Sequence, residues 1–253
     1  MAGKIRVGAV NYLNTKPLIY GFEQGLMQDK IDLVMDYPAN IAAALLANTI
    51  DIGLVPVAIL PEMDAYYIVG NHCIAADRAV ASVCLFSEVP LEKIETVILD
   101  YQSRTSVRLA QLLMKEHWKI SPVFQHAGAD FRDLISGTTA AVVIGDRALE
   151  QRRISTYSYD LAGAWKEMTG LPFVFAAWIS NKPLSPEFIN AFNTANEFGL
   201  SQLDTIVQLN PYSVFDLQAY YTNNISFRLD DQKMLGLELF LQKISQPAPL
   251  QVV

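Results

Sequence analysis

The chain has 253 residues, 51% of them hydrophobic and 18% charged, with a formal net charge of −7. That composition supplies a core for one large or two ordinary domains and excludes wholesale disorder. It also excludes a general nucleic-acid surface, which needs a basic stripe, and it means that an anionic ligand has to be held by local donors. The N-terminal Met-Ala-Gly-Lys-Ile-Arg-Val runs straight into a strand, with no charged head and apolar signal region before it. No apolar run reaches the ~20 residues that span a bilayer. Cys73 and Cys84 lack C-x-x-C spacing and read as two buried free thiols of a reducing compartment, with a disulfide between them as the alternative. The expectation is a soluble cytoplasmic protein with no membrane or nucleic-acid partner.

In chain order, Ile5 to Val10 is short, apolar and β-branched, the pattern of a buried strand. Pro17 suits the first turn of a helix, which Gly25 ends. Asn11, Asn14 and Thr15 lie between them, past the carboxyl end of the strand, where open α/β sheets bind ligands. Ile31 to Met35 reads as a second strand, and Asn40 as the cap of a helix with Ile41, Ala44 and Leu45 on one face. Asp51 to Val55 is a third strand, and Pro56 restarts helical structure to about Leu60. Tyr66 to Val69 and Ala79 to Phe86 are further β-rich runs.

Pro90 marks a turn, and a second α/β series follows: strand Thr96 to Leu99, polar turn Asp100 to Ser103, helix Arg104 to about His117. On that helix Val107, Ala110 and Met114 share one face. Pro122 to Gln125 reads as a strand, Phe131 to Ile135 as a short helix, and Ala140 to Ile144 as a buried strand. Gly145-Asp146 opens the next helix, with Asp146 as N-cap. Leu161 to Phe173 reads as irregular and Phe173 to Ile179 as a strand. Helical segments follow over 186–198, 200–209 and 213–221. A last helix from Asp230 to about Lys243 precedes a loose tail from Gln246 to Val253.

Strands alternating with helices predict an α/β fold with parallel sheets. The expected architecture is a first lobe, residues 1–86 and 178–253, interrupted by a second α/β lobe, residues 87–177. The crossings then fall near Val83 to Pro90 and Phe173 to Asn181. Two lobes joined by a double-crossing hinge over a cleft are the architecture of periplasmic-type binding proteins. A single continuous doubly wound sheet is the competing arrangement.

The chemistry-bearing residues exclude the commoner sites. His72, His117 and His126 are scattered, and neither H-E-x-x-H nor a Cys/His cluster occurs. Neither a P-loop nor G-x-G-x-x-G is present, and no G-x-S-x-G elbow marks a serine nucleophile. What remains is small polar residues at strand-to-helix turns. Ser103-Arg-Thr105-Ser106 opens a helix, where hydroxyls and first-turn N–H groups suit an anion without net positive charge. Asn14-Thr15 and Gly145-Asp146 occupy equivalent turns, and Ser82 faces either the cleft or the backbone.

Several of these residues lie in blocks that resemble a known family. Val10-Asn-Tyr-Leu-Asn14-Thr-Lys-Pro17-Leu, Asp51-Ile-Gly-Leu-Val-Pro56-Val, Ser82-Val, Ser103-Arg-Thr-Ser-Val107-Arg-Leu, Gly145-Asp146 and Trp165-x-x-x-Thr169-Gly-Leu-Pro-Phe-Val-Phe-Ala-x-Trp178 occur in order. They resemble the MqnA-type chorismate dehydratases of the futalosine route to menaquinone, with weaker similarity in the C-terminal helices. The resemblance implies the periplasmic-binding-protein type II fold. It implies dehydration of chorismate to 3-[(1-carboxyvinyl)oxy]benzoate without metal or organic cofactor. It assigns catalysis to Asn14 and substrate contacts to Ser82, Thr105 and Ser106, to which the turns add Ser103, Gly145 and Asp146. The expected partner is therefore a small dicarboxylate, chorismate, with the proton taken by the substrate's own enolpyruvyl carboxylate. Arg104 and Arg147 read as surface ion pairs, and Asn11 as a brace for its turn.

Two other readings stand beside this one. The related 1,4-dihydroxy-6-naphthoate synthase of the same pathway carries a Cys-Pro-Asn-Asp-type turn where this chain has Tyr-Leu-Asn-Thr. A non-catalytic small-anion-binding protein would carry an export signal or lipid-attachment cysteine.

Overall fold

The computed structural model describes residues 3–100, 102–126, 128 and 131–245; the tail expected from Gln246 onward lies outside the described residues. The first series is β1 (Ile5–Val10), a 3-10 turn at Leu13–Thr15, α1 (Lys16–Glu23), β2 (Ile31–Asp36), α2 (Pro38–Leu46), β3 (Ile52–Pro56), a 3-10 stretch Val57–Glu62, and β4 (Tyr67–Ala76). The second is β5 (Val83–Ser87), β6 (Thr96–Leu99), α3 (Arg104–Leu113) with a π turn at Met114–Trp118, β7 (Val123–His126), β8 (Thr139–Ile144), α4 (Asp146–Gln151), β9 (Tyr157–Asp160) and α5 (Leu161–Thr169). The chain then returns through β10 (Phe173–Ser180), α6 (Pro186–Leu200), α7 (Leu203–Leu209), α8 (Leu217–Ala219), a π turn at Tyr220–Asn224, β11 (Ser226–Arg228) and α9 (Asp231–Ser245).

The strands form two sheets, in the orders β11-β4-β10-β3-β1-β2 and β7-β6-β8-β5-β9. This is the two-lobed arrangement rather than one continuous sheet. In each lobe three parallel strands meet an antiparallel strand: β10 beside β3 in the first, β5 beside β8 in the second. Parallel strands covered on both faces read as continuous apolar runs, which is why β3 is buried at every position. The chain changes sheet within 77–82 and again within 161–172, each earlier than the expected crossings.

Four local expectations are corrected. Leu161 to Thr169, read as irregular, is helix α5: the Asp160 carboxylate accepts the Ala162 and Gly163 N–H groups as N-cap, and Gly170 (φ +76°) ends it in the left-handed conformation. Asn40 does not cap α2, which begins at Pro38; its amide instead donates to Asp36 at 2.9 Å. Asp146 is the first residue of α4, and Gly145 (φ +65°) stands at the cap. On α3 the buried residues are Thr105, Ser106, Leu109, Ala110, Leu112 and Leu113, with Met114 buried just beyond; of the expected face Ala110 and Met114 are buried and only Val107 is half-buried. Two hydroxyl residues on a buried face are what α3 contributes to the cleft.

Helix α1 follows the first polar turn directly, so what fixes α1 fixes that turn. It packs backbone to backbone on α6. A Cβ at Gly199 would lie 2.0 Å from the Pro17 carbonyl oxygen, and one at Gly21 2.1 Å from that of Ala195. No rotamer change relieves a clash with backbone. Gly199→Ala is therefore expected to lower stability in urea denaturation by about 1–3 kcal/mol, the range for overpacking a tight contact. An unchanged midpoint would contradict the close packing of α1 on α6.

Candidate active site

The carboxyl ends of β1, β3, β6 and β8 open on one cleft between the lobes, about 600 Å³ of empty space that is partly open to solvent. Six residues expected from sequence line it: Asn14, Ser82, Ser103, Thr105, Ser106 and Gly145. Asp146 is not among the lining residues. Leu54, Ile74 and Phe175 give the cleft an apolar wall. No described lining residue is Asp, Glu, Lys, Arg or His.

Asn14 stands in the 3-10 turn after β1, closed by the Thr15 N–H on the Tyr12 carbonyl at 3.0 Å. The turn is tied on both sides. The Tyr221 hydroxyl donates to the Leu13 carbonyl at 2.9 Å, and the Leu13 N–H donates to Asp146 Oδ1 at 3.2 Å. Asn11 braces its outer face by accepting from Lys16 Nζ at 2.9 Å. The Thr15 hydroxyl donates to Asn14 Oδ1 at 3.3 Å.

Ser82 does not lie on a strand but in the crossing before β5. Ala81 beside it has φ +64°, a left-handed conformation that alanine adopts only when its surroundings enforce it. Asp160 does the enforcing: its oxygens accept the Val80 N–H at 3.1 Å and the Ala81 N–H at 2.8 Å. The Ser82 carbonyl accepts the Gly145 N–H at 2.8 Å, and its side chain, fully buried, accepts from the Tyr220 hydroxyl at 2.7 Å.

Ser103 caps α3 by accepting the Ser106 N–H at 3.1 Å. Thr105 Oγ1 accepts the Ala58 N–H across the lobes at 3.2 Å, which leaves its own proton to donate. A Cβ on Gly145 would meet the Tyr12 ring at 3.4 Å, and Tyr12 in turn hydrogen-bonds Gln102 of the opposite lobe.

The nearby charges lie behind this lining. Arg147 donates to Gln102 at 2.9 Å and to both oxygens of the fully buried Asp100 carboxylate at 2.8 and 3.0 Å, which corrects its expected surface role. Burial pushes the Asp100 carboxyl up, against the pull of Arg147 and two backbone N–H groups. Arg104 does pair at the surface, with Glu62 at 2.8 Å. Burial raises Asp146 to about 6, opposed by the Leu13 N–H. The Tyr212 hydroxyl, itself pushed up to about 12 by burial, donates to the Asp146 carbonyl at 3.1 Å.

Sequence reasoning missed Asp160 and Tyr220. Asp160 carried a signal, since an Asp before Leu-Ala-Gly-Ala-Trp is an N-cap pattern. Tyr220 carried none, being one of two adjacent tyrosines in a C-terminal segment that forms no motif.

The family described as menaquinone biosynthesis matches residues 5–246. A chorismate dehydratase of Thermus thermophilus is 26% identical over 96% of this chain and 97% of its own. Among solved structures, a protein from Archaeoglobus fulgidus is similar with a TM-score of 0.73 at 12% identity, covering 94% of this chain and 96% of that one. The periplasmic aliphatic sulphonate binding protein of Escherichia coli has a TM-score of 0.62 at 15% identity, covering 98% and 95%. These likenesses show the periplasmic-binding-protein fold. Among the described residues no helix is long and apolar enough to cross a membrane.

The raised Asp146 carboxyl sets a pH test. Its folded form holds a proton that the unfolded chain releases near 3.8, so its contribution to stability falls as the pH rises from there to about 6. Asp146→Asn keeps an acceptor for the Leu13 N–H and removes the titration. In thermal denaturation between pH 4 and pH 7 the variant is expected to gain on the wild type as the pH rises. The opposite trend would show that the ionised carboxylate is stabilising.

Proposed function

The chain belongs to the menaquinone-biosynthesis family, and from that membership we propose that it is a chorismate dehydratase, a hydro-lyase acting on chorismate in the cytoplasm. The observation that carries this reading is the meeting of Asn14 with the hydroxyls of Ser82, Ser103, Thr105 and Ser106 in one cleft whose described lining has no charged side chain. The Thermus relative bears the same activity as its name.

The reaction removes a proton from the ring carbon bearing the enolpyruvyl ether and a hydroxyl from the neighbouring ring carbon. Together they leave as water, the ring becomes aromatic, and the product is 3-[(1-carboxyvinyl)oxy]benzoate. The chemical step is downhill, so the protein has to orient the substrate, assist proton removal and stabilise the departing hydroxide. Hydroxyls and first-turn amides of α3 bind carboxylate oxygens through dipoles. The apolar wall of Leu54, Ile74 and Phe175 strengthens those contacts by excluding water. In this reading Asn14 hydrogen-bonds the reacting region. The described lining offers no carboxylate or imidazole as base, and the substrate's enolpyruvyl carboxylate takes that role.

Incubating the purified protein with chorismate alone tests the function. The expected result is the aromatic absorption of the benzoate product, whereas tight reversible binding without turnover would identify a binding protein instead. Within an active enzyme, Asn14→Ala is expected to lower kcat by ~10²-fold or more, as loss of an oxyanion donor does. Unchanged turnover would remove Asn14 from the chemistry.

A further inference from the structure

A second groove lies between the lobes beside α3, with about 900 Å³ of empty space that is partly open to solvent. Arg104, Arg108 and Gln111 of α3 line it, with His126 at the end of β7 and Ala58 and Glu62 of the first lobe. Steps of four and three residues set the three α3 side chains in one row along the helix. The groove adjoins the candidate active site. Ser103 borders both spaces, and the bond from the Ala58 N–H to Thr105 Oγ1 at 3.2 Å joins a residue of the groove to one of the cleft.

The charges of the groove do not cancel. Its two carboxylates already have cations, Glu62 the Arg104 guanidinium at 2.8 Å and Asp100 that of Arg147 at 2.8 Å. The exposed Arg108 guanidinium has no ion pair or hydrogen-bond partner among the described residues. One positive charge is therefore left over, beside the donor groups of Gln111 and His126. The pair of Arg104 with Glu62 is exposed on both sides, so it is weakly held and a ligand carboxylate can take the place of Glu62. The contrast with the surroundings gives this excess its meaning. An anion approaching a chain of net charge −7 is repelled at long range, and the described lining of the cleft offers it no cation. At the edge of that cleft the groove reverses the sign.

We propose that this groove is an outer anion site, in which Arg108 and Arg104 capture a small dicarboxylate before it passes Ser103 into the cleft. The identity of that dicarboxylate as the substrate rests on the dehydratase reading, whereas the preference for an anion follows from the charges alone. A guanidinium suits the task, because its planar fork matches a carboxylate and it stays charged at every working pH. Capture of this kind speeds association without touching the chemical step. The division of labour is then spatial: full charges attract the substrate outside the cleft, and neutral dipoles hold it inside.

The test is the salt dependence of chorismate turnover in the full chain, its Arg108→Gln variant and a charge-matched control, Lys30→Gln. Lys30 precedes β2, at the end of the sheet away from the cleft. In the wild type kcat/KM is expected to fall as ionic strength rises from about 10 to about 300 mM, despite the net negative charge. Arg108→Gln is expected to lower kcat/KM about 3- to 10-fold at the low end and to flatten its salt dependence. Its kcat is expected to change by less than about twofold, and Lys30→Gln to match the wild type. A wild-type kcat/KM that rises with salt, or equal losses in the two variants, would overturn the proposal. A readout independent of turnover is the Nε–H signal of Arg108, assigned by its loss in Arg108→Gln and followed during titration with malonate at constant ionic strength. A saturating shift, weakened in Arg104→Gln, is expected; a drift that never saturates would reduce the site to general screening and would also overturn the proposal. Failure of the wild type to consume chorismate would instead overturn the functional reading, leaving the anion site to be decided by malonate.

Discussion

The Asp160 carboxylate holds together the part of the chain on which the rest depends. Four backbone N–H groups converge on it, those of Val80 and Ala81 from the first crossing and those of Ala162 and Gly163 from the start of α5. A buried amide without a partner costs about 1–3 kcal/mol, so one carboxylate satisfying four of them fixes both segments. The crossing is where the chain changes sheet, and Ala81 can keep its left-handed backbone there because both adjacent amides are satisfied. Ser82 follows immediately. The same carboxylate that permits the two-lobed topology thus delivers a serine hydroxyl to the cleft.

The second constraint is electrostatic. A chain of net charge −7 offers no general attraction to an anion, and the described lining contributes no charged side chain. Arg147 is turned onto the buried Asp100 carboxylate and the Gln102 carboxamide, and Arg104 onto Glu62. Helix α3 offers dipoles instead: first-turn amides without intrahelical partners, and the hydroxyls of Ser103, Thr105 and Ser106. Dipoles fixed by the fold need no reorganisation when charge moves during a reaction, whereas a mobile surface arginine does. A site built this way favours developing charge at defined points more than it favours tight binding of the ground state.

Much of this was legible in the sequence, for a physical reason. Strands buried on both faces, such as Ile52–Pro56 and Thr139–Ile144, are written as unbroken apolar runs, and the turns after parallel strands are where polar residues collect. That local grammar located Asn14, Ser103, Thr105, Ser106 and Gly145. It failed where structure depends on distant partners. Leu161–Thr169 reads as irregular because of Gly163 and Gly170, yet one is an accepted N–H near a cap and the other a helix stop. Ser82 reads as strand because its neighbours are apolar, while its conformation is imposed by Asp160, far along the chain. Tyr220 reaches Ser82 across 138 residues of sequence, and no local pattern encodes that contact.

The lobes and the site also share their contacts. Thr105 accepts from Ala58, Asp146 from the Leu13 N–H, Tyr12 pairs with Gln102, and Tyr220 bonds the serine at the crossing. Each of these joins a residue of the cleft, or its immediate neighbour, to the opposite lobe or to the segment between the sheets. The contacts that join the lobes are therefore also contacts that hold the polar site together. A hydroxyl such as Thr105's has two uses, its oxygen holding the lobes through Ala58 and its proton remaining for the ligand.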